Sequence, residues 1–263
     1  MFFTKMHGIG NDYIIINLFD NNINNLKELS IKLSNRNYGI GGDGIITIEP
    51  SKICDFKMRI YNSDGSEAEM CGNGIRCLGK YVYDNKMTDK ELIKVETKSG
   101  VKVLKLHIKD KKVSSVTVDM GEPVFIDNID LNVLDNNYSI HNVSMGNPHA
   151  VTIVDNVDSI DVKNIGSLIS NNKHFPNKTN VEFIELIDKN NIKMRVYERG
   201  SGETLACGTG ASASVASCNK MGLTNRKVKV KLLGGDLDIK YDINNHLYMT
   251  GSVVKVFDGN IDI

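Results

Sequence analysis

The stretch MRVYERGSGETLACGTG, Met194–Gly210, decides the fold, because it is a second copy of MRIYNSDGSEAEMCGNG, Met58–Gly74. Met, Arg, Tyr, Glu, Cys and two Gly recur in step, and the cysteines Cys71 and Cys207 stand 136 positions apart. The same offset carries Leu33–Asn35 onto Ile169–Asn171, Ile45–Glu49 onto Val181–Glu185, and Asn11 in HGIGNDY onto Asn147 in SMGNPHA. Self-similarity at a constant offset marks an internal duplication. A chain of 263 residues holds two domains of ordinary size, each able to bury its own core.

The coarse elements agree with a duplication. Leu26, Leu29 and Leu33 fall at helical spacing, as do their counterparts Val162, Ile165 and Ile169, predicting one amphipathic helix in each half. Asn22 or Asn24 is the expected cap of the first and Asp161 of the second. Runs such as DYIIIN, FKMRIYN, IKVET, VKVLKLHI, AVTIV, IKMRVYE, VKVKLL and DLDIKY read as strands, and IKDKKV as a solvated hairpin. A further helix follows each motif cysteine, GNGIRCLGKYVYDN in one half and GTGASASVASCNKMG in the other, the latter closing on Gly222. The expected fold class is therefore α/β of the α+β kind, two mixed domains related by pseudo-twofold symmetry with a cleft between them. One half is expected over residues 1–117, with 252–263 returning to it, and the other over 118–251.

Thirty-two basic residues balance thirty-two acidic ones, so no global field recruits nucleic acid or an anionic membrane. No apolar run approaches the roughly 18 residues of a spanning helix, and the first residues lack a leader-like pattern. A cytoplasmic protein with a small-molecule ligand is expected. Five cysteines, at 54, 71, 77, 207 and 218, form an odd set without zinc-type spacing, which favours reduced thiols. Cys54 and Cys218 are expected in the core. Cys77 follows Cys71 by six, a spacing at which helical side chains do not converge, so it too is expected to pack.

A cysteine at a helix start meets the positive end of the dipole and unpaired N–H groups, both of which stabilise its thiolate, so the pKa of each motif cysteine is expected to fall. Glycines directly after it let an anionic ligand approach the same N–H fringe. If Cys71 and Cys207 face one cleft, a substrate carbon between them has a base on one face and an acid on the other. Two like charges in one small site push one pKa up, so a thiolate/thiol state follows. That is the apparatus of a two-base racemase or epimerase. A thiol-based hydrolase or redox module, with one cysteine as nucleophile, is the reading from a different class, and a non-catalytic binding protein is a third.

MHGIGNDY, YNSDGSEAEMCGNGIRC, MGNPHAV, TNVEFIE and YERGSGETLACGTGASA together resemble diaminopimelate epimerases, cofactor-independent enzymes that interconvert LL- and meso-diaminopimelate for lysine and peptidoglycan synthesis. The resemblance implies two halves, each with a curved sheet around a central helix, no metal, and a homodimer. It implies Cys71 and Cys207 as the base and acid, with His149 and Glu198 tuning the thiols. It implies substrate contacts from Asn11, Asn62, Gly72, Asn73, Asn147, Asn180, Glu198, Arg199, Gly208 and Thr209. Gly44 departs from members carrying glutamine there, and Phe257 from members with a tyrosine at the dimer contact. Two-cysteine racemases of proline or hydroxyproline are the near alternative; they usually place histidine where this chain has Asn73.

The offset also shows what was not duplicated. Ser63 corresponds to Arg199, Asn62 to Glu198 and Gly44 to Asn180. The matching core is expected to do the chemistry and the unmatched ring to fix the far end of the substrate, with Arg199 on its distal carboxylate.

Overall fold

Strand Asn11–Asn17 is apolar at four consecutive positions, Tyr13 to Ile16, all buried, as befits a strand covered on both faces. The computed structural model describes residues 1–19 and 23–262. Helix α1, Leu26–Ser34, packs Leu26, Leu29 and Leu33 against Ile14, Ile16, Ile45 and Tyr61 on one side of the sheet. Helix α2, Gly72–Asp84, is buried from Gly72 to Val82 and lies against the other face, where Tyr13 and Ile46 meet Gly74.

Contacts divide the chain into two units, Met1–Val118 with Gly251–Ile263, and Asp119–Thr250. In the first, Asn11–Asn17 runs parallel to Gly44–Glu49 through the α1 crossover, and Gly44–Glu49 pairs antiparallel with Phe56–Asn62. Phe56–Asn62 is antiparallel to Glu67–Ala68 and, after α2, parallel to Leu92–Thr97. Leu92–Thr97, Gly100–Lys109 and Lys112–Gly121 follow as hairpins. Asp110 and Lys111, both at positive φ, make the two-residue turn of the IKDKKV hairpin. Val254–Asn260 returns to pair antiparallel with Phe2–Gly8.

The second unit repeats the plan. Helix α3, Val162–Ser170, joins Pro148–Ile153 to Asn180–Asp188 in parallel, and Asn191–Glu198 pairs back antiparallel. After Gly202–Thr204, helix α4, Gly208–Lys220, leads to Lys227–Leu232, parallel to Asn191–Glu198 and antiparallel to Gly235–Tyr241. The registers themselves carry the offset of 136. Tyr13 opposes Gly44 as His149 opposes Asn180, Ile45 opposes Tyr61 as Val181 opposes Tyr197, and Ile60 opposes Ala68 as Val196 opposes Thr204. The match slips by one residue only past the second crossover, where Phe56 opposes Val95 but Ile192 opposes Val230. The fold is mixed α/β, with few helices and strand-rich units.

Two expectations need amendment. The cap of α1 is Asn25, whose side chain accepts from Glu28 N and donates to Glu28 Oε2. Asn24 does not take that role, and Asn22 lies outside the described residues. Asp161 does cap α3. Cys54 is half-buried in the bend before Phe56 rather than in the core, because that bend lies outside the sheet. Cys77 and Cys218 are fully buried, and burial pushes each thiol up to about 12.

Candidate active site

Each motif cysteine is itself the N-cap of the helix it precedes. Cys71 is extended (φ −137°, ψ 118°), and its Sγ accepts the Gly74 N–H at 3.3 Å. Cys207 is extended alike (φ −125°, ψ 112°), and its Sγ accepts the Gly210 N–H at 3.4 Å. Helix caps are normally Ser, Thr, Asp or Asn, whose side-chain oxygen satisfies an orphan N–H of the first turn. Here sulfur takes the oxygen's place, which aims it at the N–H fringe begun by Gly72 and Asn73 in one unit and Gly208 and Thr209 in the other.

Around Cys71 the partners come from the hairpin at the start of the chain. The thiol donates to Asn11 Oδ1 at 3.3 Å, and the Tyr13 hydroxyl donates to the sulfur at 3.2 Å. Asn11 is oriented by Asp43, whose Oδ2 accepts from Asn11 Nδ2 at 2.6 Å and from Asp12 N at 3.0 Å. Arg36 bridges Asp12 and Asp43, and Lys5 pairs with Asp12 at 2.6 Å. Burial alone would raise Asp12, but Arg36 and Lys5 hold it down at about 2. The hairpin turn places Ile9 at φ 47°, a conformation a β-branched residue adopts at a cost of about 1–3 kcal/mol. The neighbouring Gly8 has no room for a side chain, since a Cβ there would lie 2.8 Å from the Arg76 guanidinium and 3.0 Å from Asn73 O. Arg76 is fully buried in α2 and donates to Gly72 O.

Around Cys207 the surroundings are charged. His149 and Glu182, both fully buried, meet at 2.7 Å through Nδ1 and Oε1. His149 Nε2 lies 3.2 Å from Asn147 Oδ1, Asn147 Nδ2 donates to Thr209 Oγ1 at 3.3 Å, and Thr209 Oγ1 lies 3.5 Å from Cys207 Sγ. Burial, then Glu198, then Glu182 push the Cys207 thiol well above its ordinary value. This reverses the expected fall at a helix start: bonds from Gly210 and Thr209 do favour the thiolate, but burial and two carboxylates outweigh them.

The other candidate residues divide by what their side chains hold. Asn180 is a backbone clamp, donating to Pro148 O and accepting the Arg199 N–H at 3.1 Å. Glu198 accepts from Thr204 Oγ1. The Asn62 side chain bonds Ser66 across the turn that follows. Arg199 is exposed and enters no ion pair among the described residues. Gly44 admits no side chain on this backbone, because a Cβ would lie 2.2 Å from Tyr61 O. Phe257 is half exposed and packs edge-on to Phe3.

Sequence reasoning missed Tyr13, Glu182 and Arg76. Tyr13 is hidden in an apolar run and Glu182 in VEFIE, yet the offset pairs Tyr13 with His149 and Ile46 with Glu182; that pairing was the available signal. Among the described residues no group of three or more His, Cys, Asp or Glu is placed to hold a metal ion, and no helix is long and apolar enough to cross a membrane.

The diaminopimelate epimerase family model matches residues 3–126 and 141–256. A diaminopimelate epimerase of Methanococcus maripaludis is 52% identical, with all of both chains covered. One of Acetivibrio thermocellus is 51% identical over all of this chain and 99% of its own. Solved structures share the fold at low identity. A PhzF-family phenazine biosynthesis protein of Bacillus anthracis has a TM-score of 0.81 at 16% identity, covering 100% of this chain and 99% of its own. A probable proline racemase of Agrobacterium radiobacter has 0.75 at 12%, covering 100% and 93%. At half identity over full length, the family match separates this chain from the proline racemases, whose likeness is one of fold. The chain belongs to the diaminopimelate epimerase family.

Proposed function

We propose that this protein interconverts LL- and meso-diaminopimelate by proton transfer at the alpha carbon, with Cys71 and Cys207 as the base and acid, one supplied by each unit. The observation that carries the reading is the doubled device: a cysteine sulfur capping a buried helix, repeated at one offset, in a chain of this family. One thiolate takes the alpha proton and becomes a thiol. The opposite thiol gives its proton to the other face of the carbanion and becomes the thiolate. No proton or charge is gained overall, and the reverse reaction exchanges the roles. Positioned proton transfer contributes about 10²–10⁴-fold; stabilisation of the developing carboxylate charge by the two helix-tip N–H fringes supplies a further share.

His149 and Glu198 act on the Cys207 side. Asn11, Asn62, Asn73, Asn147, Asn180 and Thr209 surround the substrate, with Gly72 and Gly208 at the helix tips. Arg199 serves the distal carboxylate, for which an exposed guanidinium is suited by its fork geometry. The enzyme works in the cytoplasm, without a cofactor, as a homodimer. In support of the dimer, Val254, Val256 and Phe257 are exposed apolar side chains on strand Val254–Asn260, a surface that a second copy would cover.

Incubation with LL-diaminopimelate in deuterium oxide tests the reading: both epimers should appear, with deuterium at the alpha carbon. Absence of both ends it, and a covalent adduct without deuteration points to a nucleophilic cysteine instead. Arg199→Ala should lower diaminopimelate turnover about 10–100-fold, the scale of one lost charged hydrogen bond, while sparing alpha-proton exchange in a short amino acid. Equal losses for both substrates would remove Arg199 from the distal site.

A further inference from the structure

The offset that relates the two cysteines also relates what stands behind them. Tyr13 takes the position of His149, Ile46 that of Glu182, and Gly74 that of Gly210, and the strand registers place each set alike. The three positions form one cradle under a helix start. In the second unit a Cβ at Gly210 would lie 2.5 Å from Glu182 Oε1; in the first, a Cβ at Gly74 would lie 2.7 Å from Ile46 Cδ1 and 3.4 Å from Tyr13 Cε2. His149 reaches Cys207 indirectly, through Asn147 and Thr209 and through Glu182. Tyr13 reaches Cys71 directly, its hydroxyl 3.2 Å from the sulfur.

A buried phenol needs a partner for its O–H, and here the hydroxyl donates to a sulfur that also accepts the Gly74 N–H. Two donors aimed at one sulfur favour its anion over its neutral form, against the single acceptor Asn11 Oδ1, which favours the thiol. Other titratable and charged groups near Cys71 include Arg76 and Cys77 on the same helix, with Asp43 behind Asn11. Arg76 supports the anion, whereas Cys77 is held neutral by its burial. The carboxylate that loads the other cradle is replaced here by Ile46.

We propose that Tyr13 is a positioning residue for the proton transfer: its hydroxyl holds the Cys71 sulfur at the helix tip and stabilises the thiolate, a service no strand hydroxyl at the matching position gives Cys207. This rests on the two-base reading above, but its test does not need turnover. Free protein is alkylated with iodoacetamide across neutral and alkaline pH, and the label on each cysteine peptide is measured in wild type and Tyr13→Phe. The ring is kept and only the hydroxyl is lost. The midpoint for Cys71 should rise by about one pH unit, an approximately ten-fold loss of thiolate below it, while the Cys207 curve stays in place. In turnover, the acid limb of kcat/KM should move the same way. An unmoved Cys71 midpoint in a variant with wild-type circular dichroism overturns the proposal.

A second measurement covers the case in which Tyr13→Phe does not fold. In wild-type protein labelled with carbon-13 at the tyrosine ζ position, one resonance should step at the Cys71 midpoint, and Cys71→Ser should abolish that step. Tyrosine resonances that pass the midpoint unchanged also overturn it. Wild-type protein without epimerase activity would sink the two-base reading and leave the alkylation result standing.

Discussion

Behind Cys71 lie a phenol and an isoleucine; behind Cys207 lie an imidazole and a carboxylate. The backbone that presents the two sulfurs is the same, down to the extended cap and the N–H bond from the third residue beyond. Duplication thus preserved the way each sulfur is presented while the floor beneath it diverged. The difference teaches that a shared backbone need not give a shared setting: burial, Glu198 and Glu182 push the Cys207 thiol up, and the Cys71 sulfur receives the Tyr13 hydroxyl.

The largest test of the pair is to remove each sulfur. Cys71→Ser and Cys207→Ser should each lower epimerisation by about 10²–10⁴-fold, measured as the initial rate from either epimer; near-normal turnover by either variant would break the comparison. Gly210→Ala and Gly74→Ala probe the two floors. A methyl at 210 presses on a carboxylate pinned by His149, and overpacking of this kind costs about 1–3 kcal/mol. A methyl at 74 meets the free end of Ile46 and should cost less. Denaturant midpoints decide, and equal losses would mean that the buried pair does not stiffen its unit.

Acid distinguishes the units as well. Asp12 titrates at about 2 when folded and near 4 in an unfolded chain, so its contribution is fully present above pH 4 and is lost as the pH falls through about 2. On the order of 2 kcal/mol of stability should disappear across that window, and Asp12→Asn should flatten that part of the stability profile. The smallest effects belong to the crossover helices. Asn25→Ala in α1 and Asp161→Ala in α3 each remove a side-chain cap and should cost about 1 kcal/mol; a negligible change in thermal midpoint would show that packing alone holds these helices.

Much of this was legible because a repeat is a property of sequence alone. The paired motifs, the amphipathic spacing of Leu26, Leu29 and Leu33, and the helix starting at each Cys-Gly required no tertiary knowledge. What stayed hidden depends on burial. Glu182 reads as a polar residue in a strand until His149 is found beside it, and Tyr13 as one more apolar residue in DYIIIN. The proton affinity of Cys207 followed the same pattern, since a helix start is visible in sequence and the carboxylates that oppose it are not. Asn25 was passed over because several asparagines crowd the approach to α1 and only the turn geometry selects one.

The return of Val254–Asn260 to pair with Phe2–Gly8 bears on the order in which the chain acquires its shape during synthesis. The unit Asp119–Thr250 is continuous and has its last strand, Leu247–Ser252, once residue 252 is free of the ribosome. The earlier unit, although translated first, keeps strand Phe2–Gly8 short of a neighbour until residues 254–260 emerge, so its last pairing closes a loop across nearly the whole polypeptide. Phe2–Gly8 is paired on one side with Asn11–Asn17, but contacts of such separation form late, and a strand open on its other side invites association with other nascent chains. Fusing a slow-translating tag after residue 263 should leave this step unchanged, whereas a chain released after residue 253 should have a first unit that is open to protease and a second that is closed.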